Sequence, residues 1–495
     1  MKKIIVTITV IGLLLITSIV SINAAEPEAD EYGLILIKNT QQDEPFNGTI
    51  LFSPWLSRET YLINNTGEVL HKWNSLFYAV LPVHLLENGN LLRADWILNY
   101  NFGFAGGSTG RVEKFSWKGL PLWNFKYSNK AHYLHHDIEP LPNGNVLMIA
   151  WEKKTRDEAI AAGRNPNTIE ENGIWPDHII EVEQTGFFRG EIVWEWHVWD
   201  HLIQDHDPTK DNYGVVADHP ELININLQGD SDGPIDWLHT DSVDYNEELD
   251  QILLSSKSLN EIWVIDHSTN TTEAAGHTGG NSGKGGDILY RWGNPQNYDR
   301  GDENDQKLFH QHDARWILPG RPGEGHITVF NNGEERLGTN YTSIDEIVPP
   351  IDDNGDYYLE EGSAFGPEEP IWSYHKTDYP TGGGTMGSAE RLPSGNTLIC
   401  IGHRLGLFLE ITPEKNVIWS YENQYPLSNP NKEVFSIRYY PPDYPGMKKL
   451  SVNIEGVSTE SEATVTEDNQ SIQQQIQQLT FLQQIFRLIG LPTNI

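Results

Sequence analysis

Three short runs set histidine beside aspartate at the head of an apolar strand: His135-His136-Asp137, His239-Thr240-Asp241 and Gln311-His312-Asp313. Aligned on the aspartate, they stand at one height of a repeated unit. Imidazole can serve as nucleophile, as general acid or base, or as metal ligand. Three such rings from distant parts of a chain, gathered in one volume, would make a reactive centre. The metal reading is secondary. The chain has no HExxH pair, and its one tight ligand pair is His310-Gln311-His312. Each aspartate could fix the tautomer of a neighbouring ring or tie the strand start to backbone N–H groups, and the sequence leaves both open. Arg315, Arg336 and Arg391 are candidate anion clamps, because a guanidinium fork suits a bound oxyanion. For each arginine taken alone, a salt bridge in so acidic a chain is the plainer role.

The elements that must position these residues repeat. "HHDIEPLPNGNVLMIAWE" from His135, "LHTDSVDYNEELDQILLSSKS" from Leu238, "FHQHDARWILPGRPGEGHITVFNNG" from Phe309 and "MGSAERLPSGNTLICIG" from Met386 are variants of one phrase, with a fainter copy from Pro82. Each reads as strand, tight turn, strand. Aromatic strand ends follow at Trp73, Tyr127, Trp199, Trp292, His375 and Tyr421. About six units of four short strands predict an all-β fold, a six-bladed β-propeller. The closing blade is expected from both chain ends. Three strands before Trp73 lack an inner partner, and "EVFSIRYYPP" near the C-terminus supplies one. Loop insertions are expected at Lys154 to Pro176, partly helical, and at His201 to Pro234. The Gly-rich run Gly279 to Gly286 lacks the GK[ST] ending of a phosphate loop and reads as a plain loop or an anion contact.

The chain has 495 residues, 70 acidic against 34 basic, a formal charge of −36. Such a surface excludes nucleic acid as a partner, and any anion site must be built locally from His, Arg and backbone N–H groups. Residues 1–25 read as a signal peptide or an uncleaved N-terminal anchor, with Lys2 and Lys3 before an apolar run. Either way the folded part is expected outside the cytoplasm, secreted, periplasmic or held at the cell surface by that segment. The sole cysteine, Cys400, rules out an intrachain disulfide and reads as core filler. The propeller is bounded at residues 33–446. Residues 447–495 read as a disordered linker and a short amphipathic helix.

Four stretches resemble the aryl-sulfate sulfotransferase family: "DWLHTDSVDYNEELDQILLSSKSLNEIWVIDHST", "ILYRWGNPQNYDRG", "FHQHDARWILPG" and "AERLPSGNTLICIGHRLGLFLEITPEKNVIWSYE". The resemblance runs from about Gly48 to Pro426. It implies transfer of a sulfuryl group from a phenolic sulfate ester to a phenolic acceptor, with no cofactor, through a sulfated histidine. His239 and His312 match the family's channel histidines, and Arg336 its oxyanion-binding arginine. The expected catalytic set is His239, His312, His136 and Arg336, with His239 or His312 as nucleophile. One departure stands out. The blade-five unit reads Met386-Gly387-Ser388 and offers no imidazole. If the family's nucleophile belongs there, His239, His312 or a loop residue such as His375 must substitute. Two other readings are a hydrolase on the same scaffold and a non-enzymatic binding propeller.

Overall fold

The repeated phrase is a repeated turn. At Leu86–Asn90, Leu141–Asn145 and Leu392–Asn396 the leucine N–H donates to the last asparagine carbonyl, at 2.8–2.9 Å, and the glycine N–H donates back to the leucine carbonyl. Gly89, Gly144 and Gly395 have φ of +82°, +90° and +90°, a conformation that only glycine adopts without cost. The side chains of Asn88, Asn143 and Ser394 accept from the N–H two residues on, closing each turn.

These turns connect the strands of an all-β protein. The computed structural model describes residues 44–450 except 104, 230–234, 337, 339, 353, 376–383 and 427–431. The expected leader at 1–25 and the tail from 451 onward lie outside the described residues. Four four-stranded antiparallel sheets open with the strands His132–Pro140, Thr240–Asn246, His312–Trp316 and Ser388–Arg391. A seven-stranded sheet carries the remaining large elements. Its strand Val69–Leu85 pairs with Ser57–Asn64 through its first half and with Leu91–Trp96 mostly through its second. Apolar side chains pack between faces of successive sheets. Leu92 and Val112 cluster with Ile138 and Met148, and Leu253 and Val264 with Ala314 and Val329.

The chain ends meet as expected. Arg438–Tyr440 pairs antiparallel with Thr49–Phe52, in the register Thr49↔Tyr440 and Leu51↔Arg438. The first strands are also tied side by side by polar side chains that accept a neighbour's backbone N–H. Val243 donates to Asp137 at 3.2 Å, Ala314 to Ser242 at 3.1 Å, Ala389 to Asp313 at 3.1 Å and Ile437 to Ser388 at 3.1 Å. The Leu85 N–H donates to the Tyr440 hydroxyl at 2.8 Å.

That series corrects the alignment on aspartate. Ser242, not Asp241, occupies the place held by Asp137 and Asp313. A break in the ladder between Thr240 and Ser242 shifts the unit by one residue. The residue matching His136 and His312 is therefore Asp241. His239 comes from one position before its strand.

The first insertion contains the helix Arg156–Ala161, started by a Thr155–Glu158 capping box. The second is largely irregular, with a short parallel pairing of Leu202–Ile203 to Ile223–Asn224. Among the described residues no helix is long and apolar enough to cross a membrane.

Removing residues 433–495 deletes the partner of Thr49–Phe52 and the Tyr440 hydroxyl bonded to Leu85. The truncated chain should lose its cooperative thermal transition and become protease-sensitive. A melt unchanged in midpoint and steepness would show that this pairing is dispensable.

Candidate active site

The three expected histidines meet. His136, His239 and His312 line one cavity of about 600 Å³ and are each nearly inaccessible to solvent. The His136 and His239 rings meet edge to face with centroids 4.4 Å apart, and Phe435 flanks both His136 and His312. Local backbone irregularity aims them. The strand ladders break between Leu134 and Ile138, between Thr240 and Ser242, and between His312 and Arg315. His136 and His239 each have a φ of +49°, unusual for a residue with a side chain. Backbone strain of this kind is often held at functional sites.

Each ring has an acceptor or relay at Nδ1. Asp236 Oδ2 lies 2.6 Å from His239 Nδ1, and Asp236 Oδ1 accepts from the Trp151 indole at 2.8 Å. Asn332 Oδ1 lies 2.8 Å from His312 Nδ1. His136 Nδ1 lies 2.8 Å from His135 Nδ1, and His135 Nε2 lies 3.2 Å from Asp177. His135 itself stacks on Trp151 with its centroid at 4.0 Å. A carboxylate or amide oxygen can only accept, so the proton of a neutral ring sits on Nδ1 and Nε2 keeps its lone pair. His239 and His312 are thereby set as Nε2 nucleophiles or bases.

Burial favours the neutral form of two of these rings. It drives His136 well below the ordinary imidazole range, with further push from the neighbouring His239. It brings His312 down to about 3, helped by the charge of Lys257. Asp241, 3.5 Å from His312 Nε2, is pushed the other way, burial raising its carboxyl well above the usual carboxylate range.

Lys257 is the residue that the motifs did not reveal. It is 2% exposed and lines the same cavity, at the head of a single turn, Lys257–Leu259, that follows the strand Gln251–Ser256. It supplies a cation beside the three rings. The remaining wall is aromatic and glycine-lined: Trp55, Tyr78, Trp96 and the Gly106-Gly107 pair. A Cβ on Gly107, where φ is +69°, would lie 2.0 Å from His136 Cε1, so only glycine permits the ring its place.

The arginines lie elsewhere. Arg336 is not among the residues lining the cavity. Its guanidinium stacks on Tyr341 and Phe309 at 4.3 and 4.9 Å and donates to Ser343 Oγ at 2.7 Å, so the aromatic pair, not an anion, receives it. Arg315 lines a second cavity of about 750 Å³ built from the ends of the same strands. Its donors are taken by Asp313 at 2.7 Å, Asp137 at 3.1 Å, Asp244 at 3.3 Å and Glu139 at 3.4 Å. Arg391, on that second cavity, is ion-paired to Glu346. His375 is an exposed strand end against Tyr341 and does not reach the histidines' cavity. Met386 does line it, and a Cβ on Gly387 would lie 2.2 Å from the Phe330 ring. Cys400 is buried core.

Comparison with known proteins gives the class. The arylsulfotransferase (ASST) family model matches residues 24–348, and the chain belongs to that family. The match ends before Met386, so the unit lacking histidine falls outside it. No curated protein matches the chain. Similar solved structures include a Bacteroides caccae protein of unknown function, 11% identical, covering 79% of this chain and 98% of that one, with a TM-score of 0.42. A Pseudomonas aeruginosa periplasmic gluconolactonase is 10% identical, covering 80% and 99%, with a TM-score of 0.38.

Imidazole NMR tests the neutral state. The His312 ring should remain unprotonated down to about pH 4, more than two units below an unperturbed imidazole. Titration of all ring signals near pH 6.5 would contradict the burial argument.

Proposed function

We propose that this chain is an exported aryl-sulfate sulfotransferase, built as a six-bladed propeller whose last blade joins both chain ends. The composition of residues 1–25 supports export, with that segment either removed or kept as an anchor. One observation carries the reading: in a member of this family, three imidazoles share an aromatic-walled cavity with a buried lysine.

His239 is the proposed nucleophile. Asp236 accepts from its Nδ1, which raises the electron density at Nε2 and stabilises charge as the N–S bond forms. Nε2 attacks sulfur in line while the S–O bond to the aryl group breaks. Lys257, with its ammonium charge, offsets the charge growing on the sulfuryl oxygens. The leaving phenolate takes a proton from Asp241 by way of His312, whose Nε2 lies 3.5 Å from that carboxyl. A phenolic acceptor then reverses the sequence, its hydroxyl proton returning to Asp241 as its oxygen takes the sulfuryl group from His239. The donor ring would rest against Trp55, Tyr78 and Trp96. No cofactor enters the scheme.

The missing imidazole at Met386-Gly387 favours a second reading, aryl-sulfate binding without turnover. Intact-mass analysis after mixing with p-nitrophenyl sulfate separates the two. Transfer predicts a transient gain of one SO3, mapped to the peptide carrying His239. His239→Ala should abolish it. Asp236→Asn should lower kcat by about 10²–10⁴, and Lys257→Met by about 10² or more. Release of nitrophenol that rises with added phenol marks a transferase; release indifferent to phenol marks a hydrolase. Binding with no mass gain and no release would leave only the second reading.

A further inference from the structure

A second cluster of titratable groups lies outside this cavity, where the two unexplained sequence features meet. His201 opens the long insertion, and His277 and Asp287 bracket the Gly-rich run. Among the described residues, these three are the one group of His, Cys, Asp or Glu side chains whose ligand atoms all lie within 4.8 Å of one another. The three cavity histidines form no such group.

We propose that His201, His277 and Asp287 bind one divalent transition metal of the zinc class. The hydrogen bonds point there. His201 Nε2 lies 2.8 Å from the Ala274 carbonyl, which can only accept, so Nε2 carries a proton. In a neutral ring Nδ1 then holds a lone pair. That nitrogen faces Asp287 Oδ1 at 2.9 Å, another acceptor. His277 Nδ1 approaches the same oxygen at 2.7 Å. Two acceptors held this close, fully buried at His201, need a cation between them. A ligating imidazole whose other nitrogen donates to a backbone carbonyl is the usual support of a metal site.

Size and chemistry fit a borderline ion. Two imidazoles and a carboxylate suit zinc and its neighbours and disfavour calcium and magnesium, which take oxygen ligands. With metal–ligand bonds of about 2.0–2.2 Å, tetrahedral ligand atoms stand roughly 3.3 Å apart. The carboxylate–imidazole separations must widen by about half an ångström. His277, whose side chain is 60% exposed, has room to move, and its open side leaves a position for water.

The surrounding backbone is shaped for this. A Cβ on Gly286 would lie 2.7 Å from His201 Nε2 and 2.0 Å from the Ala274 carbonyl. The Gly286 carbonyl accepts from Trp196 Nε1 at 2.7 Å. The Ile288 N–H donates to the Glu221 carbonyl at 3.1 Å, and Arg291 to that of Leu222 at 3.0 Å. A bound metal would clip the long insertion to the Gly-rich run across this seam.

The test uses the tag-free full chain, stripped with a chelator and reloaded with Zn²⁺ or Co²⁺. Elemental analysis after dialysis should find one tightly held zinc per chain, and cobalt should give the visible absorption of a tetrahedral site. Thermal midpoints should rise with zinc. His277→Ala, at an exposed position that leaves the core intact, should lose that zinc or weaken its binding at least about tenfold. His239→Ala should retain it. The proposal fails if the wild-type chain holds no zinc, since a proton then bridges His201 and Asp287. It fails equally if His277→Ala binds zinc with unchanged stoichiometry and affinity.

Discussion

Four carboxylates on one buried guanidinium hold the centre of this molecule. Arg315 gathers Asp137 and Glu139 from one first strand, Asp244 from a second and Asp313 from its own. Arg438, from the strand that closes the chain ends, adds a second cation on Asp313 at 3.1 Å. Burial alone would push these acids toward neutrality, and the guanidinium draws them back. Removing one partner from such a cluster strands the others in a dry interior. The three aspartates also accept a backbone N–H of the next first strand, so electrostatics and strand spacing are one constraint.

This cluster separates two cavities with opposite character. The strand starts present buried imidazoles, one lysine and aromatic walls. The strand ends present arginines, acids and tyrosines. Among the described residues no arginine lines the first cavity: Arg315 and Arg391 belong to the second, and Arg336 is held by aromatic rings. Lysine takes the cationic role. An ammonium is a compact point charge and needs no planar partner, so it fits at the end of a buried strand where a guanidinium fork would not.

The strands, their turns and the meeting of the chain ends were legible in the sequence because each rests on local signals. An Asn-Gly turn, an alternating run and an orphan strand at each end are visible without coordinates. The convergence of His136, His239 and His312 was legible for the same reason. The register of the third unit was not. A bulge costs one residue and leaves no mark in composition, so the aspartate alignment paired Asp241 with the wrong neighbours. Lys257 was hidden because lysine after a serine pair reads as solvent-facing. The available signal was its place directly behind the apolar run "ILL" and two small residues, where a chain going to the surface would usually turn. Arg336 was misplaced because a sequence shows the charge of a side chain and not the rings it will lie on.

Gly387 and Phe330 also limit what the site can become. The position where a fourth imidazole would stand is filled from across the sheet by an aromatic ring, so the two sites are sterically exclusive. A histidine at residue 387 would need Phe330 trimmed in the same step, so no single substitution there supplies another imidazole.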